Sequence, residues 1–263
     1  MQTISIEQGL RALQRFVLAE WRLALPVALA FLALPPFIVG LIVAPLLRDV
    51  PATMSAMRAL GQSMPAWVTP LMLAAVLIAV VGALALMALM LLPRISVGEA
   101  IATAVRRLPA WIGASLIAFA ILFAVLIVIG LLVGSLQSGP WLLIVATLVG
   151  MVLTGLYLVL IMPLLIDKAL GPIAALQQGF FLYRGQLVRL LGGLVMFLVG
   201  AWIVATAIQV ALGSVLLLIG RMAGQIELAA TLVTLLGALV SALEWGAFYL
   251  LVACFYRQRV GRG

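Results

Sequence analysis

The chain contains no histidine, a single cysteine and only 8% charged residues among its 263. Without histidine, the commonest metal ligand and the commonest general base at neutral pH are both missing. The lone Cys254 cannot close an internal disulfide, and its place in an apolar run makes it a small core residue. No Walker loop, no Cys/His metal set, no Gly-x-Ser-x-Gly and no pair of carboxylates within one apolar run is found. An enzyme is therefore the least supported class, and no cofactor is expected. The scarcity of charge excludes more than chemistry. A soluble domain averages about a quarter charged and about half apolar residues, and this chain is 67% hydrophobic with a mean hydropathy of +1.37.

What is present is a set of long apolar runs. Six reach the roughly 20 residues needed to cross a hydrocarbon core about 30 Å thick: about 23–47, 67–92, 110–134, 141–166, 187–219 and 228–255. In lipid an unpaired backbone amide costs several kcal/mol, so such runs span as helices. The expected fold class is an all-α integral membrane protein. Pro35-Pro36 lies near the middle of the first run and removes two helical hydrogen bonds, which predicts a kink or a break. Gly130-x-x-x-Gly134 lets two helices approach closely. Residues 1–22 do not read as a cleavable signal. Their charged part is long, includes Glu7 and Glu20, and precedes a run long enough to span.

Short amphipathic stretches precede three of the runs. Ile6, Leu10, Leu13 and Val17 line one helical face opposite Glu7, Arg11, Gln14 and Arg15. Val97, Ile101, Ala104, Val105 and Leu108 form a second stripe, with Glu99, Thr103 and Arg106 outside it. A third stretch follows Gly171-Pro172, in which Ile173 and Phe180 are expected to face lipid or the bundle. Ser5 with Gln8, and Ser96 with Glu99, have the spacing of capping boxes. The recurrence predicts three units, 4–92, 95–166 and 168–256, each an amphipathic cytoplasmic helix feeding a transmembrane hairpin.

The basic residues set an orientation. With six spans and both termini on one side, that side holds Arg11, Arg15, Arg22, Arg94, Arg106, Arg107, Lys168, Arg184, Arg189, Arg257, Arg259 and Arg262; the other holds Arg48, Arg58 and Arg221. Twelve against three places both termini in the cytoplasm by the positive-inside rule. Trp21, Trp67, Trp111 and Trp141 fall at predicted span ends, where amphipathic rings prefer to sit. The net charge of +8 then lies mainly at the inner face and suits anionic lipid headgroups. Nucleic acid is not an expected partner, because the basic residues are spread over interfacial segments.

One region carries a family resemblance. Pro163 to Lys168, Gly171 to Ala175, Phe181 to Arg184 and Leu187 to Leu191 resemble the signature region of the YciC-type bacterial inner-membrane proteins. They are also similar to the membrane domain attached to some glycerophosphodiester phosphodiesterases. Asp167 matches the family's acidic residue after the fourth span, while Gly179 stands where a serine is expected and Tyr183 where a threonine is. The resemblance implies a bacterial inner-membrane location and carries no biochemical activity with it. It covers the last hundred residues or so, and no phosphodiesterase domain is attached.

Two polar groups of residues are candidate sites. Glu244 lies deep in the sixth run, where an ionised carboxylate must be neutral, paired or beside water. Thr234, Gly237, Ser241 and Glu244 share one face, and Gln209 sits at comparable depth in the fifth run on a face with Trp202, Thr206 and Gly213. A Gln209–Glu244 hydrogen bond would join the last two spans. The pair is read either as a proton or substrate site or as a neutral helix bridge. Asp167, Lys168, Arg184 and Arg189, with Arg106 and Arg107, are candidate headgroup contacts or a gate; the alternative is a solvated turn. The expected function is a non-enzymatic inner-membrane protein that binds lipids or partner proteins in envelope or lipid homeostasis. The competing expectation is a lipid or amphiphile transporter with a cavity lined by Glu244. A cavity there favours the transporter, and a packed centre favours the binding protein.

Overall fold

A backbone with so few polar neighbours must satisfy its own hydrogen bonds, as a helix does within one segment, and short turns at proline and glycine divide the helices. The computed structural model describes residues 6–47, 64–135 and 141–261, all helix or short turn. Expectations on Ser5, Arg48, Arg58 and Arg262 lie outside the described residues. The elements in chain order are α1 (Ile6–Ala28), a π-helical turn (Leu29–Ala33), α2 (Leu34–Leu47), α3 (Val68–Leu91), α4 (Val97–Ser135), α5 (Trp141–Asp167), α6 (Pro172–Tyr183), α7 (Leu187–Met222) and α8 (Ile226–Val260).

Among the described residues six helices are long and apolar enough to cross a membrane: Glu20–Val43, running through α1, the π turn and α2, and then α3, α4, α5, α7 and α8. The α4 stretch is 37 residues, α7 is 36 and α8 is 35. At about 1.5 Å per residue each exceeds 50 Å, well beyond a hydrocarbon core of about 30 Å, so their ends project past it.

The proline pair does not break the first span. Pro35 and Pro36 carry no N–H, and their rings crowd the carbonyls one turn back. The helix responds by widening just before them, where the Leu34 N–H bonds to the Leu29 carbonyl five residues back, and then continues through α2. A further bend lies upstream. Glu20 leaves helical geometry at φ −119°, ψ 15°, separating the first amphipathic stretch from the span.

Helices α3, α5 and α8 contact one another, and α1–α2, α4 and α7 pack around them. Packing is tightest towards the C-terminal ends of the three. Ala83, Leu84, Ala85, Met87 and Ala88 of α3, Leu160 to Ile166 of α5, and Phe248 with Leu250 to Tyr256 of α8 are all buried. Towards their N-terminal ends, Leu73 and Val76, Ile144 and Leu148, and Ile226 and Leu228 are exposed. The tight end also carries Arg94, Lys168, Arg257 and Arg259 and is called here the basic end. There the Cys254 thiol is buried, 3.9 Å from the Met90 sulfur, as a small core residue.

The amphipathic stretches differ from the expected stripes. In the first amphipathic turns of α4 the buried positions are Ala100 and Ala104, with Val97, Ile101, Leu108 and Trp111 against the core, while Val105 turns outward. The buried line thus runs through small residues, which let the helix sit close. Trp111 is packed inward rather than belted at a surface, unlike Trp21, Trp67 and Trp141, which are exposed. In α1, Gly9 and Leu13 are buried and Leu10 is exposed. In α6, Ala175, Gly179 and Tyr183 face inward, while Ile173 and Phe180 are exposed. The Ser96–Glu99 capping box forms as expected: the Ser96 N–H donates to the Glu99 carboxylate at 2.8 Å, and the Glu99 N–H donates to the Ser96 hydroxyl at 3.3 Å. Arg94 and Ala169, three residues ahead of α4 and α6, both take left-handed backbone, with φ 60° and 53°.

Candidate functional site

The polar residues that come together do so at the basic end. Tyr256 of α8 is buried and needs a hydrogen-bond partner; its hydroxyl donates to the Asp167 carboxylate at the end of α5, at 2.7 Å. Three residues further on, the Arg259 Nε donates to the Leu182 carbonyl in α6 at 2.9 Å. The Tyr183 hydroxyl, fully buried, donates to the Leu160 carbonyl of α5 at 3.2 Å. Burial pushes this phenol above its ordinary range, with the neighbouring Tyr256 and Tyr157 hydroxyls adding and Arg259 opposing. It therefore stays a donor. The Tyr157 hydroxyl donates to the Leu176 carbonyl at 2.5 Å. Together these bonds lock α6 across the ends of α5 and α8.

Glycine makes that docking possible. A Cβ at Gly179 would lie 2.6 Å from the Ile161 Cγ2 and 3.3 Å from the Tyr157 hydroxyl. The two positions where the resembled family is expected to carry Ser and Thr are here a close-contact glycine and a buried tyrosine. Both serve helix docking.

Of the expected headgroup residues, Asp167 is held by Tyr256. Lys168, Arg184, Arg189 and Arg106 are exposed, and their side chains make no hydrogen bond or ion pair with the described residues. Arg107 is half-buried, with its Nε enclosed and without a hydrogen-bond partner among the described residues, as is the Nε1 of Trp111 one turn on. A gate joining Asp167 and Lys168 to Arg184 and Arg189 is not formed.

The intramembrane candidates are dispersed. Glu244 is half-buried and makes no hydrogen bond or ion pair with the described residues. Gln209 faces Gly237 instead: a Cβ at Gly237 would lie 3.6 Å from the Gln209 Oε1. Gly237 is about two helical turns from Glu244, so the expected Gln209–Glu244 bond is absent. Thr206 and Trp202 are exposed, while Ala205 and Gly213 are buried on the face that carries Gln209. Ser241 lines a groove of about 390 Å³ between α2, α3 and α8, together with Pro36, Met72 and Trp245. Thr234 meets α2, its methyl 3.0 Å from where a Cβ at Gly40 would be. The face expected on α8 is thus divided between two neighbours.

A cleft of about 720 Å³ lies at the basic end, between α1, the end of α3 and the end of α8. Its apolar walls include Phe16, Leu23, Leu89 and Met90, and Glu20, Arg94, Tyr256 and Arg257 also line it. Sequence reading missed this site. The α1 bend that brings Glu20 there has no local signal such as proline or glycine. A second groove, about 520 Å³, runs between α4, α5, α6 and α7 and is almost wholly apolar. Among the described residues no group of three or more His, Cys, Asp or Glu side chains is placed to hold a metal ion. Comparison with known proteins finds no matching family model, no matching curated protein and no matching solved structure.

Proposed function

We propose that this is a non-enzymatic, multi-pass protein of a bacterial inner membrane that binds membrane lipids, with envelope or lipid homeostasis as its setting. In this reading both termini face the cytoplasm, the basic end lies at the inner leaflet, and resemblance to the YciC-type proteins is part of the proposal. The chain is organised as three helix pairs, each preceded by an amphipathic segment. Support for the repeat comes from burial: Gly9 and Leu13, Ala100 and Ala104, and Ala175 and Gly179 are buried pairs, each four residues apart near the start of a unit.

The observation that carries the function is where the empty space lies. The centre of the bundle at the basic end is filled by fully buried side chains, and Glu244 lines none of the three clefts described. A transporter reading needs a cavity around Glu244 and Gln209, so the packed centre favours binding over transport. The clefts instead lie between helices at the periphery, apolar inside, and the one of about 720 Å³ opens among charges at the basic end. Apolar walls with a few polar groups are the usual make-up of a small-molecule site, of about 300–1,000 Å³.

Two measurements test this. Native mass spectrometry of the full chain extracted in mild detergent is expected to show retained phospholipid; a chain that retains none would refute lipid binding. Cysteine placed at Gly224 should react with an impermeant thiol reagent in intact cells, and cysteine at Gly261 should not. The reverse pattern would overturn the orientation.

A further inference from the structure

Resting on the lipid-binding reading above, we propose that the 720 Å³ cleft at the basic end holds one phospholipid whose headgroup carries both a phosphate and an ammonium. Phe16, Leu23 and Leu89 give the cleft apolar walls for part of an acyl chain, and Glu20, Arg94 and Arg257 put both signs of charge around it. The Glu20 and Arg94 side chains make no hydrogen bond or ion pair with each other or with any described residue. Glu20 and Arg94, opposite charges that share one cleft without pairing with each other, are complementary to a ligand with both signs.

The chemistry assigns the ends. A guanidinium matches phosphate oxygens with two parallel N–H donors, so Arg94 takes the phosphate. The Glu20 carboxylate accepts from a primary ammonium, which has N–H groups to donate. A glycerol headgroup offers no cation and leaves Glu20 facing a like charge. A trimethylated ammonium has no N–H at all. Both residues are set by unusual backbone. Glu20 sits at the bend of α1, and Arg94 takes φ 60°, a conformation that glycine adopts at least cost. A turn that only had to turn would be served better by glycine at position 94.

The test uses the full chain in detergent, offered equal amounts of phosphatidylethanolamine, phosphatidylglycerol and phosphatidylcholine and read by native mass spectrometry. Phosphatidylethanolamine is expected to be retained over the other two. Glu20→Gln should lower its retention about tenfold, the loss of one charge-assisted contact, and leave phosphatidylglycerol unchanged. Arg94→Gln should lower retention of all three, because all carry the phosphate. Glu20 and Arg94 are exposed, so both variants should melt with the parent chain. If Arg94→Gln melts early, Arg94→Lys keeps the charge without the two-pronged donor, and the same fall in retention is expected. Equal retention of the ethanolamine and glycerol lipids, unmoved by either variant, overturns this site and leaves general lipid binding intact. Retention of none of the three lipids overturns both.

Discussion

Gly82→Ala is the sharpest test of how the first span meets the core. A Cβ at Gly82 would lie 2.4 Å from the Phe31 Cβ and 3.3 Å from its Cγ. Both Cβ positions are fixed by backbone, so no rotamer change relieves the overlap. Ordinary contact begins at about 3.4 Å, so α3 and the π turn must part by about 3.4 − 2.4 = 1.0 Å. Phe31 belongs to the turn that the proline pair has already widened, which leaves little room for rewinding. Overpacking of this kind costs about 1–3 kcal/mol, and in a chain of this size each kcal/mol moves the melting point by about 2–4 °C. Gly246→Ala is the matched control. Its Cβ would lie 3.7 Å from the Ala28 Cβ and 3.9 Å from the Leu32 and Leu86 methyls, which is ordinary contact. Replacing a helical glycine by alanine there should leave stability unchanged or raise it by about 0.5–1 kcal/mol. The assay is the fraction of monodisperse protein left after heating in detergent, followed by tryptophan fluorescence on size exclusion. A Gly82→Ala protein that melts with the parent, or as high as Gly246→Ala, refutes the close approach.

Three further outcomes follow from the same geometry. Tyr256→Phe removes the hydrogen bond to Asp167 and should cost about 1 kcal/mol; Asp167→Asn, which keeps an acceptor, should cost less, and the opposite order in melting points would refute the bond's role. Glu244 has no partner among the described residues, so Glu244→Leu should be neutral or stabilising, because it removes a polar group from apolar surroundings without breaking a bond. A lower melting point for Leu would show a partner for the carboxylate. The Glu99 carboxyl, exposed in the excess length of α4, is held below its ordinary range by the Ser96 N–H and hydroxyl. A depressed carboxyl stabilises the fold above its unfolded value of 4.5 and loses that contribution as pH falls through the folded value. The melting-point gap between the parent chain and Glu99→Gln should therefore be open at pH 7 and shrink progressively as pH falls below 4.5; a gap that persists in strong acid would refute the cap.

The sequence carries the number and place of the helices but not which faces meet. In water, apolar periodicity points to the core, because the other face must be polar. In lipid both faces are apolar, and small residues, rather than hydrophobic ones, mark close contacts. The stripe expected in α4 therefore included Val105, which faces outward, and omitted Ala100, which is fully buried. The face expected in α7 grouped Trp202 and Thr206 with Gln209, yet only Gln209 and Gly213 turn inward. Asp167 was legible as a special residue from its place after the fourth run. Its partner Tyr256 was not, since the two lie 89 positions apart and nothing local joins them. The bend at Glu20 was equally hidden: the stretch before it packs against α8, where Gly9 sits close to the Phe255 ring, and no breaker residue marks it.

Where the bundle is tight and where it is open then decides which polar residues can meet a ligand. A carboxylate within the bilayer acts on a substrate only if water or a cavity reaches it. Glu244 sits beside a filled core and lines none of the described clefts. The ends of α3 and α8 differ in both respects. Their last turns are buried on the side facing the core, yet at Arg94 and Arg257 the chain is exposed, so an apolar wall meets a wet rim within a few residues. The first amphipathic stretch crosses this end because Gly9 and Leu13 dock it there. Its bend adds the one acidic residue to a rim that is otherwise basic. An amphiphile lying along the basic end of the bundle would meet both halves of its chemistry in that place without any helix having to move.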